Sequence, residues 1–318
     1  MQALPTIEIG EVIRICVDFS LAPLKNQQYK PDPSTFFLGW LLGPCVKLRE
    51  VSIFHVFGSP DYDGRLFAPL LQHWARSCPC LEALCFLSAH PEDIVKALPA
   101  FKNLLSLQMY ISAKHNISAA DILGMIADCS VSLRKLHLCI HSDTEDITQS
   151  LQRCLHALPL REVELCDADE FGTIGLLPGN LGRISWPRTC HTVHVACHGE
   201  DLISLAKEIR LSNVRHLGVQ VSSDSPFMAA DVNNFLAALT CSQLEQLRLE
   251  IPMKGDEMPA DVLKAIRAGA VTLIQKLQSL HHLLVLDVSS RTFLRGLTRL
   301  AKRHGVLLRK PPDWMPLF

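Results

Sequence analysis

Neither sign of charge is in surplus. Lys and Arg number 31 against 32 for Asp and Glu, a net charge of −1 over 318 residues. A generic binder of nucleic acid or of an anionic membrane surface would carry a basic excess, so neither partner is expected. Long apolar runs are also missing. The longest, TFFLGWLLGPCV (35–46), has 12 residues and is broken by Gly and Pro, where a spanning helix needs roughly 20. The first residues, MQALPTIEIGEVIRICVDF, lack a basic start and put Glu8 and Glu11 where a secretion signal would have its apolar stretch. The 12 cysteines are then expected as reduced thiols of a cytoplasmic or nuclear protein. Cys16, Cys85, Cys139 and Cys166 stand at apolar positions, where a free thiol behaves as a small hydrophobe.

Signatures of catalysis are absent too. There is no G-x-S-x-G and no His in a matching Ser or Cys context. GTIGLLPGNLG (172–182) is rich in glycine but has no Lys-Ser/Thr and opens no clear helix, so it fails as a phosphate loop and reads as an irregular loop between repeats. CDADEF (166–171) and PDYDG (60–64) gather carboxylates without the ligand spacing of a calcium loop; both read as strand-to-helix turns. No cofactor and no catalytic role are expected.

What the chain does have is a repeat. The pattern apolar-x-x-apolar-x-apolar can be placed ten times: VIRICV (12–17), LREVSI (48–53), LEALCF (81–86), LLSLQM (104–109), LRKLHL (133–138), LREVEL (160–165), CHTVHV (190–195), VRHLGV (214–219), LEQLRL (244–249) and LLVLDV (283–288). The starts recur about every 30 residues. The last four positions of each alternate, which suits a strand with one buried face. Between them lie segments with helical spacing: 64–78 (Leu66, Leu70, Leu71, Trp74), 144–158 (Ile147, Leu151, Cys154, Leu155), 199–211, 229–240 and 259–280. Thr144, with Glu145 and Asp146 after it, marks a helix start, and Pro259 marks another. One strand plus one helix cannot bury its apolar side alone, so stacked neighbours must share a core.

These segments resemble the leucine-rich repeat family, in its ribonuclease-inhibitor-like branch, over roughly residues 12 to 308. The resemblance implies an α/β solenoid, a horseshoe of about ten irregular repeats, with a parallel β-sheet on the concave face and helices on the convex face. It implies one domain over 1–318: an N-terminal cap and first repeat with a long loop (1–45), repeats (46–290), then a cap helix and tail (291–318). The chain departs from the family where the consensus has Asn or Cys three residues past the last apolar position. Val56, Ala89, Ser112, His141, Ala168, His198, Ser222 and Pro252 stand there, so irregular turns are expected. Degenerate repeats of this kind are similar to those of F-box substrate receptors, although 1–45 shows no F-box.

In such a horseshoe the residues flanking the buried strand positions line the concave face. Counting by two selects Arg14, Glu50, Gln108, Tyr110, Lys135, His137, Glu162, Glu164, His194, His216, Gln246, Arg248 and Glu250, and would continue to Asp287 and Ser289. The set is polar, mixed in sign and poor in aromatics, as a surface that reads a partner protein would be. A solvated sheet face would look the same. Elsewhere, CHTVHVACH (190–198) holds Cys190, His191, His194, Cys197 and His198, all zinc-ligand types. On a strand, however, Cys190 and His194 stand roughly 13 Å apart, too far to share one ion. CPC (78–80) is too tight for a C-x-x-C knuckle. Arg291, Arg295, Arg299, Lys302 and Arg303 form a basic stripe at helical spacing with no acid between 291 and 310, either a solvated face or a dock for an acidic partner. The tail PPDWMPLF (311–318) reads as a cover for the open end, and LAPLKNQQYKPDPSTFF (21–37) as a loop inside the first repeat.

The expectation is a non-catalytic module that binds a partner protein through the concave sheet face. The rivals are a substrate-recognition subunit of a ubiquitin ligase, or a pathogen effector imitating one, and a metal-binding protein or enzyme centred on 190–198.

Overall fold

A computed structural model describes residues 14–18, 47–54, 67–87, 91–112, 117–129, 132–141, 147–166, 183–221, 229–251, 260–286 and 291–308. Strands and helices alternate: β1 (Arg14–Asp18), β2 (Glu50–Phe54), α1 (Phe67–Ser77), β3 (Ala83–Leu87), α2 (Pro91–Ala97), β4 (Ser106–Ser112), α3 (Ala119–Cys129), β5 (Lys135–His141), α4 (Thr148–Ala157), β6 (Glu162–Cys166), β7 (Thr192–Cys197), α5 (Leu202–Leu211), β8 (His216–Val221), α6 (Ala229–Leu239), β9 (Gln246–Glu250), α7 (Ala260–Lys276), β10 (His282–Leu286), α8 (Arg291–Arg303) and β11 (Leu307–Leu308). The chain divides into two compact units, Met1–Cys139 and Ile140–Phe318, with the division inside β5. In the first, β1 to β4 pair in parallel and in chain order. In the second, β6 to β11 do the same. Among the described residues no helix is long and apolar enough to cross a membrane.

The apolar positions of the repeat stack across strands. Leu160, Cys190, Val214, Leu244 and Leu280 are buried where the second unit's strands begin. Val163, Val193, Leu217, Leu247 and Leu283 follow one level on, and Leu165, Val195, Val219 and Leu249 the next. Helices close this core from one side with Leu151, Leu205, Phe235 and Leu273, all fully buried. The first unit repeats the arrangement, with Leu84, Leu107 and Leu136 level with one another and Trp74 of α1 fully buried. Each such side chain contributes roughly 1.5–3 kcal/mol by leaving water.

Three expectations shift. The last frame moves by three residues: β10 pairs His282 with Gln246 and Leu283 with Leu247, so the repeat reads Leu280-x-x-Leu283-x-Val285. The run LHHLLVLDV offers both frames, and the burial of Leu277 and Leu280 selects the earlier one. Asp287 and Ser289 then fall outside the described residues, as do the loops 21–37, 60–64, 167–171 and 172–182, the start Thr144–Asp146 and the tail 311–318. The helix expected over 144–158 begins at Thr148. A further strand, β11, follows α8 where only a cap and tail were foreseen.

Among the described residues the strand starts share one bonding pattern. At the starts of β3, β4, β5, β7, β8, β9 and β10 one carbonyl accepts two N–H groups of the next repeat, using both lone pairs. Arg49 O takes Glu82 N and Ala83 N; Glu82 O takes Leu105 N and Ser106 N; Leu105 O takes Arg134 N and Lys135 N. The second unit continues the rule from Arg161 through His191, Arg215 and Glu245, at 2.7 to 3.1 Å. A side-chain ladder runs beside it, one residue before the first apolar position. Asn103 Nδ2 donates to Pro79 O, Ser132 Oγ to Leu104 O, Asn213 Nδ2 to Arg188 O and Ser279 Oγ to Leu244 O, each at 2.8 Å. The polar ladder thus stands where strands begin.

Glycines mark two tight places. A Cβ on Gly269 of α7 would lie 2.9 Å from Leu236 Cβ of α6, so the two helices meet at backbone distance. Gly305 has φ +72°, and the bonds Val306 N to Ala301 O and Gly305 N to Lys302 O close a left-handed helix end. This turns the chain from α8 back to β11. Gly124 of α3, by contrast, has nothing within 4 Å of a built Cβ. Ala substitution should therefore give three different outcomes in chemical denaturation: a gain of about 0.5–1 kcal/mol at Gly124, a loss of about 1–2 kcal/mol at Gly305, and a loss of about 1 kcal/mol or more at Gly269, where overpacking outweighs the helix propensity gained. A stabilising Gly269→Ala would show that α6 and α7 are not in contact there.

Candidate functional site

Along β6 and β9 exposure alternates residue by residue, half-buried then buried. The buried set faces the helices, so the other set forms an open face. In the first unit this face carries Arg14 and Glu50, paired at 2.6 Å across β1 and β2, then Cys85 Sγ donating to Gln108 Oε1 at 3.1 Å across β3 and β4. Lys135 is exposed and His137 half-buried on β5, with His137 Nε2 3.6 Å from Cys139 Sγ. Tyr110 departs from expectation. Its register is that of Ser106 and Gln108, but it is only 7% exposed. Counting by two assigns a face; it does not see a ring laid down where its apolar area leaves water.

In the second unit the register aligns Glu162, Thr192, His216, Gln246 and His282 in one row, and Glu164, His194, Gly218 and Arg248 in the next. Gln220 and Glu250 continue a third. The second and third rows line a shallow hollow, open to solvent, with Cys166 and Ala196 at its wall. Its floor depends on a missing side chain. The His194 imidazole lies across β8 where a Cβ on Gly218 would collide with Nδ1 and approach Cε1 to 3.0 Å. Carboxylates flank the ring, from Glu164 on β6 and Glu250 on β9, and Arg248 Nη2 stands 3.8 Å from Glu250 Oε2. The hollow thus presents both charge signs, an imidazole and the Gln220 amide within four strands.

Just before the first row stand Arg215 and Glu245, which the alternation does not select. Glu245 accepts from Arg215 Nη1 at 3.0 Å and lies 3.8 Å from His216 Nε2, while His216 Nδ1 is 3.3 Å from Thr192 Oγ1. The signal for the pair was present in the repeat: its second position holds Arg215 then Glu245, as it holds Arg49 then Glu82, which pair at 3.5 Å.

The stretch 190–198 is a strand, Thr192–Cys197, and the strand scatters the ligand types. Cys190 and Cys197 are buried under the sheet, His194 lies on the open face and His191 points into solvent. Among the described residues of this stretch no three candidate ligands converge. Burial pushes the Cys190 thiol up to about 12, with the Glu162 charge adding to it against backbone hydrogen bonds that lower it. Burial raises Cys197 further, with Asp201 adding to it. Both effects oppose the thiolate a metal needs. At 78–80, Cys78 is buried and Cys80 exposed. The basic stripe is helical, in α8; Arg299, Lys302 and Arg303 are exposed and Leu297 and Ala301 are buried. Arg291 and Arg295 lie on the same helix, with side chains outside the described residues.

Fold and face together define an α/β protein of parallel strand–helix units with one sheet face left open. No family model and no curated protein matches the sequence. Among solved structures, the chain is similar to the Rad7 and Elc1 complex of yeast at 13% identity and a TM-score of 0.32, covering 83% of this chain and 74% of that one. It is similar to PH0766 from Pyrococcus horikoshii OT3 at 9% identity and a TM-score of 0.21, covering 88% and 91%.

The thiols give a direct test. Cys80 and Cys241 are exposed, whereas Cys154, Cys190 and Cys197 are buried. Alkylation followed by mass spectrometry should label the first two in the native protein and the other three only on unfolding. The native state holds the protons of Cys154 and Cys190 more tightly than the unfolded chain does, at about 12 against 9.0. Stability from these groups is therefore complete below pH about 9 and falls as pH rises towards about 12. Rapid native labelling of Cys190 would show that the strand 192–197 does not cover it.

Proposed function

We propose that the protein is a non-catalytic, leucine-rich-repeat-type interaction module that docks a partner protein on the open face of its parallel sheet, centred on the hollow around His194 and Gly218. The observation that supports this reading is the hollow itself. Glu164, Gln220, Arg248 and Glu250 surround a ring seated over a glycine, which gives a partner hydrogen-bonding and charged groups of both signs within four strands. The face is built from side chains that the core does not need. The layers beneath are made by Leu165, Val195, Val219 and Leu249, so the face can vary while the fold stays. A stable docked complex would bury about 1,200 Å² or more of total surface, which takes in neighbouring rows, Glu162, His216 and Gln246 among them.

Quantitative affinity capture compares the wild-type chain with a Glu164→Ala/His194→Ala/Arg248→Ala variant. Central, well-packed contacts cost about 2 kcal/mol or more each when truncated, so capture of the specific partner should fall at least about tenfold, with the thermal midpoint unchanged. Unchanged capture by a folded variant would remove the open face from consideration.

A further inference from the structure

Basic side chains of the second unit gather at one end, with Glu162, Glu208 and Glu245 interspersed among them. Connections from helix to following strand are short: 158–161 between α4 and β6, 212–215 between α5 and β8, 277–281 between α7 and β10, and 304–306 between α8 and β11. Helix C-termini and strand starts therefore share one rim. The main-chain ladder spaces that rim. Arg161, His191, Arg215, Glu245 and His281 sit one strand apart, since each carbonyl accepts from the next residue of the series. Four of the five are exposed bases or imidazoles, and the acid, Glu245, is engaged by Arg215 and His216.

Neighbouring turns add to the same sign. Arg188 is exposed, and its carbonyl accepts from Asn213 beside Arg215. Lys302 and Arg303 are exposed at the end of α8, whose chain returns to bond Leu307 N to His281 O. The helices' first-turn acids, Asp231 on α6 and Asp261 on α7, stand at the opposite end. Favourable interaction with helix dipoles accounts for basic residues in last turns. It does not account for Arg161, Arg188 and Arg215, which lie outside the helices. A second observation comes from Leu211, the last residue of α5. It is 76% exposed, where most of the described leucines of this unit are buried, and it follows Arg210 within two residues of Asn213.

We propose that this rim binds an extended acidic segment of a partner protein, a short run of Asp and Glu interrupted by an apolar residue that covers Leu211. The row from Arg161 to His281 spans four strand spacings, roughly 19 Å, which about six residues of extended peptide cover. The whole chain carries a net charge of −1, so attraction is confined to the rim and a long polyanion gains little beyond it. The exposed large apolar side chains among the described residues are leucines, which give nucleic-acid bases no aromatic platform. The rim lies at the strand starts and the hollow on the open face, so this inference stands independently of the docking reading above.

Fluorescence anisotropy tests it, with the full chain and a labelled peptide of six glutamates around a central leucine. Saturable binding that weakens with added NaCl is expected. Arg161→Glu and Arg188→Glu should each weaken it by about tenfold or more, and Leu211→Ser severalfold. Lys264→Glu and Arg267→Glu, an equal change of charge at exposed positions of α7, should leave it unchanged. Circular dichroism checks folding, and Lys302→Glu replaces either arginine variant that fails to fold. Three results would overturn the assignment: a serine-for-glutamate peptide that binds as well, equal losses from the α7 and rim variants, or tighter binding of labelled oligothymidine.

Discussion

One carbonyl with two donors sets the geometry of this protein. At the start of most strands the peptide oxygen of one repeat holds two consecutive N–H groups of the next, from Arg49 to Lys135 in the first unit and from Arg161 to His282 in the second. That bond pattern fixes the phase of neighbouring strands. A one-residue slip would turn every Leu and Val of the core outwards. The buried layers under Val193, Leu217 and Leu247 follow from the phase. So do the open-face rows. Packing then supplies the free energy, but alignment comes first from main chain that any residue can provide.

The same alignment separates the surfaces. In each unit the helices lie on one side of the strands, so the other side carries Glu164, His194 and Arg248 with no role in the core. Short connections bring helix C-termini to the strand starts and helix N-termini to the far end. Acids in first turns and bases in last turns each stabilise a helix locally, and in register the last-turn bases join Arg161, Arg188 and Arg215 on a rim rich in basic groups. A chain with nearly balanced charge can in this way hold a strongly positive edge and a mixed face.

How much of this is readable in advance depends on what each feature rests on. Strand positions rest on a two-residue period, and the frames beginning at Leu81, Leu133, Val214 and Leu244 coincide with β3, β5, β8 and β9. Where apolar residues are too many, as in LHHLLVLDV, the pattern admits two frames, and only burial at the preceding helix end decides. The irregular turns are expected at the strand exits, where Val56, Ala89, Ala168, Ser222 and Pro252 lie outside the described residues; the polar groups Asn103, Ser132, Asn213 and Ser279 act instead at the strand starts, which the family consensus does not point to. At the site, alternation assigns Glu164, His194 and Arg248 to one face. It has no means of showing that Gly218 matters through what it lacks, or that Tyr110 is covered. Pairs such as Arg215 with Glu245 become visible only when equivalent positions of successive repeats are read against each other.

The left-handed turn at Gly305 delivers the chain to a strand of two residues, β11, at the outer side of β10. So short an element closes few amide bonds, and its Leu307 side chain is 54% exposed. Protection against hydrogen exchange should therefore be graded across this unit, lowest at Leu307 and Leu308 and rising inwards to β8 and β9, which have neighbours on both sides. Local opening at that edge would uncover β10 alone and leave the hollow on β6 to β9 intact.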